Sequence, residues 1–272
     1  MSGRAKWAQP IIVAVSSTGA IGSALFGLAS TIEGYVYTFA TAINGMFMPR
    51  ISKIIVSGKK EEELMPLMVK IGRIQLMIIG LLTVGFIALG KSFVVDIWHK
   101  PDFAQSYPCA VLLIVPSVFY LPMQIANTTL IVENKAKLQA YVFIAMGIVN
   151  VALSLVLSRF FGAIGASLSI LIAYTVRTVS MSVIYQKKLE LDMLHFCKET
   201  FLKLSPYLLL SLGVGLLCEH FNPIQNSYLR FGVNGVILVA FFFGVMWLFG
   251  FNTYEKNLLL GTVKNVVRKL KR

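Results

Sequence analysis

Runs of about twenty apolar residues recur along this chain, and no other feature limits its fold so tightly. A helix of that length covers about 30 Å, the hydrocarbon thickness of a bilayer. The run Ile74–Ile97 holds no charge before Lys91. Comparable runs cover about Tyr107–Val132, Leu138–Leu157, Ala163–Tyr185 and Tyr228–Phe251, with a shorter one over about Pro206–Cys218. With the stretch Thr31–Arg50 they predict seven crossings. Hydrophobic residues make up 57% of the 272 and charged ones 14%, against about 45–50% and 25% for a soluble domain. The expected class is an all-α, polytopic helical membrane protein.

The runs divide the chain. Residues 1–23 read as an irregular stub with a partial helix, broken by Ser16, Gly19 and Gly22. Residues 24–185 form a five-helix membrane lobe. Residues 186–203 are an amphipathic linker, 204–251 hold two additional helices, and 252–272 form a basic tail. A second amphipathic surface helix is expected after Arg50, with Lys59–Glu63 as its solvated start. In the third crossing Pro116 and Pro122 each remove a helix hydrogen bond and favour a kink.

The net charge of +13 is that of many nucleic-acid binders, but its placement points elsewhere. Eighteen of the 25 basic residues fall in the loops and tail on one side of the predicted crossings. The other ends hold four: Lys91, Lys100, Arg159 and Arg230. By the positive-inside rule the crowded side, with the C-terminus, is cytoplasmic. The basic excess then needs no nucleic-acid partner. Cys109, Cys197 and Cys218 lie in or beside apolar runs and read as small hydrophobes. His99, His195 and His220 are scattered singly, so neither a metal centre nor a cofactor is expected.

The informative residues are the polar ones inside the crossings. In Thr31–Arg50, Ser30, Glu33, Tyr37, Thr41 and Asn44 share one side of a helix, and Val36, Phe39, Ile43 and Phe47 the other. The first line is expected to face a protein interior, with Pro49, Arg50 and Lys53 stopping the helix at a water boundary. Glu33 suits a group that takes up and releases a proton, or a partner for a neighbouring cation. Arg177 lies about 12 Å inside its crossing at 1.5 Å per residue, with Tyr174 and Thr178 on its side. A guanidinium there matches a phosphate or pyrophosphate, or a buried carboxylate. Tyr37, Thr41, Asn44, Gln124 and Asn127 can hydrogen-bond a sugar or bind helices to one another. Arg230 and Lys91 read as interfacial anchors. The acceptor pattern Asn127-Thr128-Thr129 lies within a crossing and is discounted.

Two stretches carry a family resemblance. FGLASTIEGYVYTFATAINGMFMPRISKII (Phe26–Ile55) looks like a helix leading into a PxIS turn, and FFGAIGASLSILIAY (Phe160–Tyr174) like an fGxiGAaxA turn-and-helix. In both the chain resembles the polysaccharide-biosynthesis flippases of the multidrug/oligosaccharidyl-lipid/polysaccharide exporter superfamily. The resemblance implies two lobes of helices about a cavity that opens alternately to each side, with this chain looking like the second lobe and its extra helices. A first lobe or partner chain would complete it. The implied cargo is an undecaprenyl-pyrophosphate-linked oligosaccharide for O-antigen or capsule assembly at the bacterial inner membrane. Arg177 would neutralise the pyrophosphate, Tyr37, Thr41, Asn44, Gln124, Asn127 and Tyr174 would face substrate, and Glu33 would couple ions. The rival readings are a cation-coupled efflux pump and a half-transporter inactive without its partner. An enzyme is not expected, since outer loops are short and no histidine lies mid-crossing.

Overall fold

A computed structural model describes Val13 and residues 19–98 and 101–257. Most of the expected stub 1–23, the pair His99–Lys100 and the tail beyond residue 257 lie outside the described residues. The rest is helical, with no β-strand among the described residues. The helices are α1 (Gly19–Val56), α2 (Met65–Ser92), α3 (Ser106–Tyr120), α4 (Gln124–Val132), α5 (Ala136–Leu189), α6 (Met193–Cys197), α7 (Lys203–Phe221) and α8 (Ser227–Val245). Four helical stretches are long and apolar enough to cross a membrane, or five if the bent pair α3–α4 is one span. The protein is an all-α polytopic membrane protein.

The 54-residue α5 is not one rod. Gly162 takes φ 55° and ψ −130°, a conformation for glycine alone, and there the chain doubles back. Lys135 Nζ donates to the Lys188 carbonyl at 2.8 Å, where a straight helix would separate them by about 80 Å. Ser169 likewise donates to Asn150 Oδ1 at 3.0 Å, across the two arms. A Cβ on Gly165 would stand 2.2 Å from the Leu157 carbonyl oxygen, so only glycine admits this close return. The predicted fourth and fifth crossings are these two arms.

α2 is the central helix. Half of its most apolar window is buried (50%), against 17–22% for the other three long stretches. π-helical turns at Lys60–Leu64 and Phe93–Ile97 flank it. Leu64, Leu67, Met68 and Ile71 bury in a core with Ile51, Ile54 and Phe196, so the apolar face of the segment after Arg50 is covered by the bundle and runs on into α2, while Lys59 and Glu63 at its expected solvated start stay exposed. On its other side α2 packs against α7 and α8 through Leu76, Leu208, Leu238 and Phe242. Gly80 against Leu208, and Gly215 against Leu238 and Ala88, let these helices approach closely.

α1 departs from expectation in three ways. It continues through Pro49 to Val56. Proline removes one helical bond, and the burial of Ile51 and Ile54 beyond it holds the last turns in place. Its polar content leaves it outside the set of helices apolar enough to cross a membrane by composition alone. The buried stripe is also rotated from the polar line: it runs through Leu25, Phe26, Ala29, Glu33, Val36 and Ala40. Val36 therefore points inward and Tyr37 outward, because the core that receives the helix is mostly apolar.

The kink in the third crossing falls at Pro122. α3 passes unbroken through Pro116, and the break at Leu121–Met123 turns α4 by 59°. α6 opens on Asp192, whose carboxylate accepts from the His195 N–H, and α8 on Asn226, which accepts from Tyr228 and Leu229.

Candidate functional site

The bend at Pro122 and the fold of α5 together build a site around Arg177. Tyr120 ends α3 just before the bend, and Gln124 and Asn127 begin α4 just after it. The second arm of α5 brings Tyr174, Arg177 and Thr178 against them, and the first arm supplies Phe143. The Arg177 guanidinium carbon stands 4.4 Å from the Phe143 ring centre, 4.6 Å from Tyr120 and 5.5 Å from Tyr174. Tyr120 and Tyr174 themselves pack at 5.3 Å. Among the described residues no carboxylate pairs with this cation; ring faces hold it.

Among the described residues, two voids open on Arg177. One is a slot of about 10 Å³ lined by Tyr120, Gln124, Asn127, Thr178 and Tyr185, with room for about one water. In it Asn127 Nδ2 donates to Gln124 Oε1 at 3.3 Å, while the buried Asn127 Oδ1 has no partner. The other is a groove of about 120 Å³ between the arms of α5, lined by Met146, Val149, Ala173, Val176 and Ser180. Glu33 lines neither the slot nor the groove, so the acid and the guanidinium share neither of these voids.

Glu33 lies 3% exposed on the inner stripe of α1. Tyr174, itself buried, is within Coulombic range of Glu33, Tyr37 and Arg177, so these four form one electrostatic neighbourhood. Gln124 and Asn127 share the slot with Arg177. Thr41 and Asn44 do not join them. The Thr41 hydroxyl donates to the Tyr37 and Thr38 carbonyls of its own helix. Asn44 Oδ1 accepts from Gln75 at 2.6 Å, so here the amide joins α1 to α2.

Sequence reasoning missed several polar contacts. Tyr120 and Phe143 are not among the candidate residues, and only the third dimension stacks them on a cation. Arg73, read as a loop cation, is buried in α2 and grips Glu255 bidentately (2.7 and 3.0 Å). It donates further to the carbonyls of Gly250 at 2.6 Å and Glu199 at 2.9 Å. Glu255 is the one acid of the segment 252–272, a signal that could have been followed. Arg230, expected as an interfacial anchor, pairs with Asp96 at 2.9 Å. Beside it Glu219 accepts from Ser92 and from the fully buried Asn234.

No known family profile and no curated protein matches the sequence. In structure the chain is similar to the lipid II flippase MurJ in an inward closed conformation, with a TM-score of 0.55 at 14% identity. The match covers 88% of this chain and 52% of that one. The chain therefore spans about half the length of its structural neighbour, and at this identity the likeness is one of fold.

Proposed function

We propose that this chain is the lobe of a flippase that carries a lipid-linked oligosaccharide across a bacterial inner membrane, and that it is not an enzyme. The observation that carries the reading is Arg177: a guanidinium held by aromatic faces, with a polar slot on one side and an apolar groove on the other. A cation without a carboxylate partner inside an apolar bundle is expensive and marks a place where an anion passes. A phosphate or pyrophosphate accepts the planar donors of arginine, and the Gln124 and Asn127 amides beside it suit sugar hydroxyls. The fold shared with a lipid II flippase supports a lipid-linked cargo. The resemblance at Phe26–Ile55 and Phe160–Tyr174 supports an undecaprenyl-pyrophosphate-linked repeat unit for O-antigen or capsule.

In this reading Glu33, in the same electrostatic neighbourhood as Arg177 through Tyr174, is the ion-coupling acid. The eighteen-to-four asymmetry of basic residues supports a cytoplasmic C-terminus. In this reading a partner lobe completes the transporter: Tyr35 and Phe39, one turn apart on α1, are exposed, and the neighbour is about twice as long.

The test is Arg177→Ala in cells carrying the complete transporter, with surface glycan measured at normal protein level. Loss of surface glycan, with lipid-linked intermediate accumulating inside, is the expected result. Unchanged export would remove Arg177 and this reading of the site.

A further inference from the structure

The groove between the arms of α5 is not accounted for by the capture of a phosphate. We propose that it seats the hydrocarbon chain of the phosphorylated lipid, which enters sideways between the arms until its phosphate meets Arg177. This deepens the flippase reading and rests on it for the headgroup.

The walls decide the chemistry. Val149 and Val176 line the groove and are exposed on the outer surface of the bundle, 40% and 50%, so it opens where lipid stands. Met146 and Ala173 are buried and close its inner wall. Apart from Arg177 and Ser180 the lining is apolar. An apolar void of about 150 Å³ stays dry and takes up hydrocarbon, so one of about 120 Å³ favours methylene or isoprene groups over water or sugar. Met146 adds an adaptable surface for an irregular chain.

Arg177 touches both voids, and that sets the ligand's polarity. A neutral lipid would leave the guanidinium without an anion, while a free phosphate would leave the groove unfilled. An amphiphile with a phosphate at the head of a long chain satisfies both. The exposed Val149 and Val176 stand at the mouth of the groove, with the buried Ala173 and Met146 within. The close return at Gly162 and Gly165 fixes the two arms against each other, so the groove is a preformed feature of the fold.

The experiment uses the full chain in phosphatidylcholine nanodiscs with a diazirine-bearing polyprenyl phosphate. The matching polyprenol is the neutral control, and cross-links are mapped by mass spectrometry. Labelling is expected at residues 142–149 and 173–180, competed by unlabelled polyprenyl phosphate and about tenfold stronger than with the polyprenol, the size of one charge-assisted contact. Val176→Trp, which fills the mouth, should abolish it. Val179→Trp, on the exposed side of the same helix and not lining the groove, should leave it unchanged and reports on folding. Equal labelling by the polyprenol, or labelling that survives Val176→Trp, would overturn the groove as the seat of the chain. Arg177→Ala separates the two ideas. If it abolishes the preference for phosphate while Val176→Trp has no effect, the phosphate site stands and the groove falls. If groove labelling keeps its phosphate preference while Arg177→Ala cells export normally, the chain seat stands and the transport reading falls.

Discussion

Arg73 and Arg177 are both cations inside an apolar bundle, yet they are held in opposite ways. Arg73 has a bidentate carboxylate and two backbone carbonyls; Arg177 has three ring faces. Arg73→Met would strip the buried Glu255 carboxyl, 2% exposed, of its cation partner, a loss of about 3–5 kcal/mol. Thermal unfolding in detergent should show a clear fall, partly restored in the Arg73→Met/Glu255→Leu pair. Arg177→Met should cost only the cation–π contacts, about 1–2 kcal/mol. The same melts would show how much more of the fold's stability rests on Arg73 than on Arg177. Glu133, in the loop between α4 and α5, carries a pH prediction. Partial burial pushes its carboxyl up, but Lys135 at 2.6 Å and Lys60 at 2.5 Å outweigh that and hold it below the ordinary value. A depressed carboxyl contributes stability that is present at neutral pH and lost as pH falls below about 4. The melting midpoint should therefore drop in that window, and Glu133→Gln should lower it at pH 7 and flatten the drop.

At the scale of elements, two local devices make the site. Gly162 folds α5, and Pro122 bends α3 into α4. Any Cβ at φ 55°, ψ −130° is strained, so Gly162→Val should destabilise by about 1–3 kcal/mol. Arm-to-arm cysteine cross-linking at residues 150 and 169 should weaken with it. Both devices were partly legible. The fGxiGAaxA stretch marked a turn before the fifth crossing, and the two prolines marked kinks. The sequence could not say that Pro116 is absorbed while Pro122 breaks the helix. That depends on neighbours: Pro116 and Ser117 are buried inside continuous packing of α3, and the chain must turn at Leu121 to carry α4 past the second arm of α5. Likewise Pro49 read as a stop, but the core that receives Ile51 and Ile54 carries α1 two turns further.

At the scale of the whole molecule, α7 and α8 lie along α2 among the described residues. Polar ties fix this pair at its two ends: Arg73–Glu255 at one, and Ser92, Asp96, Glu219, Arg230 and Asn234 at the other. Breaking the second tie with Arg230→Leu should raise hydrogen exchange in the connection 219–230 and leave the Arg177 slot unchanged. Exchange that rises equally in α3 and α4 would mean the two parts are one cooperative unit.

The sequence by itself determined the class and the rods. Apolar runs of bilayer length must become helices, because lipid offers no partner for an unpaired backbone group. It also located the cation and most of the polar groups now found near it. Only tertiary structure decided which groups meet. A helix's polar line says which residues share a side, but the rotation of that side follows from the core it enters, so Val36 turned in and Tyr37 out. Tyr120, Phe143 and Tyr174 converge on Arg177 from positions up to 57 residues apart in sequence because a proline bends one helix and a glycine folds another. Periodicity is a property of one helix, and a cage of rings is a property of several.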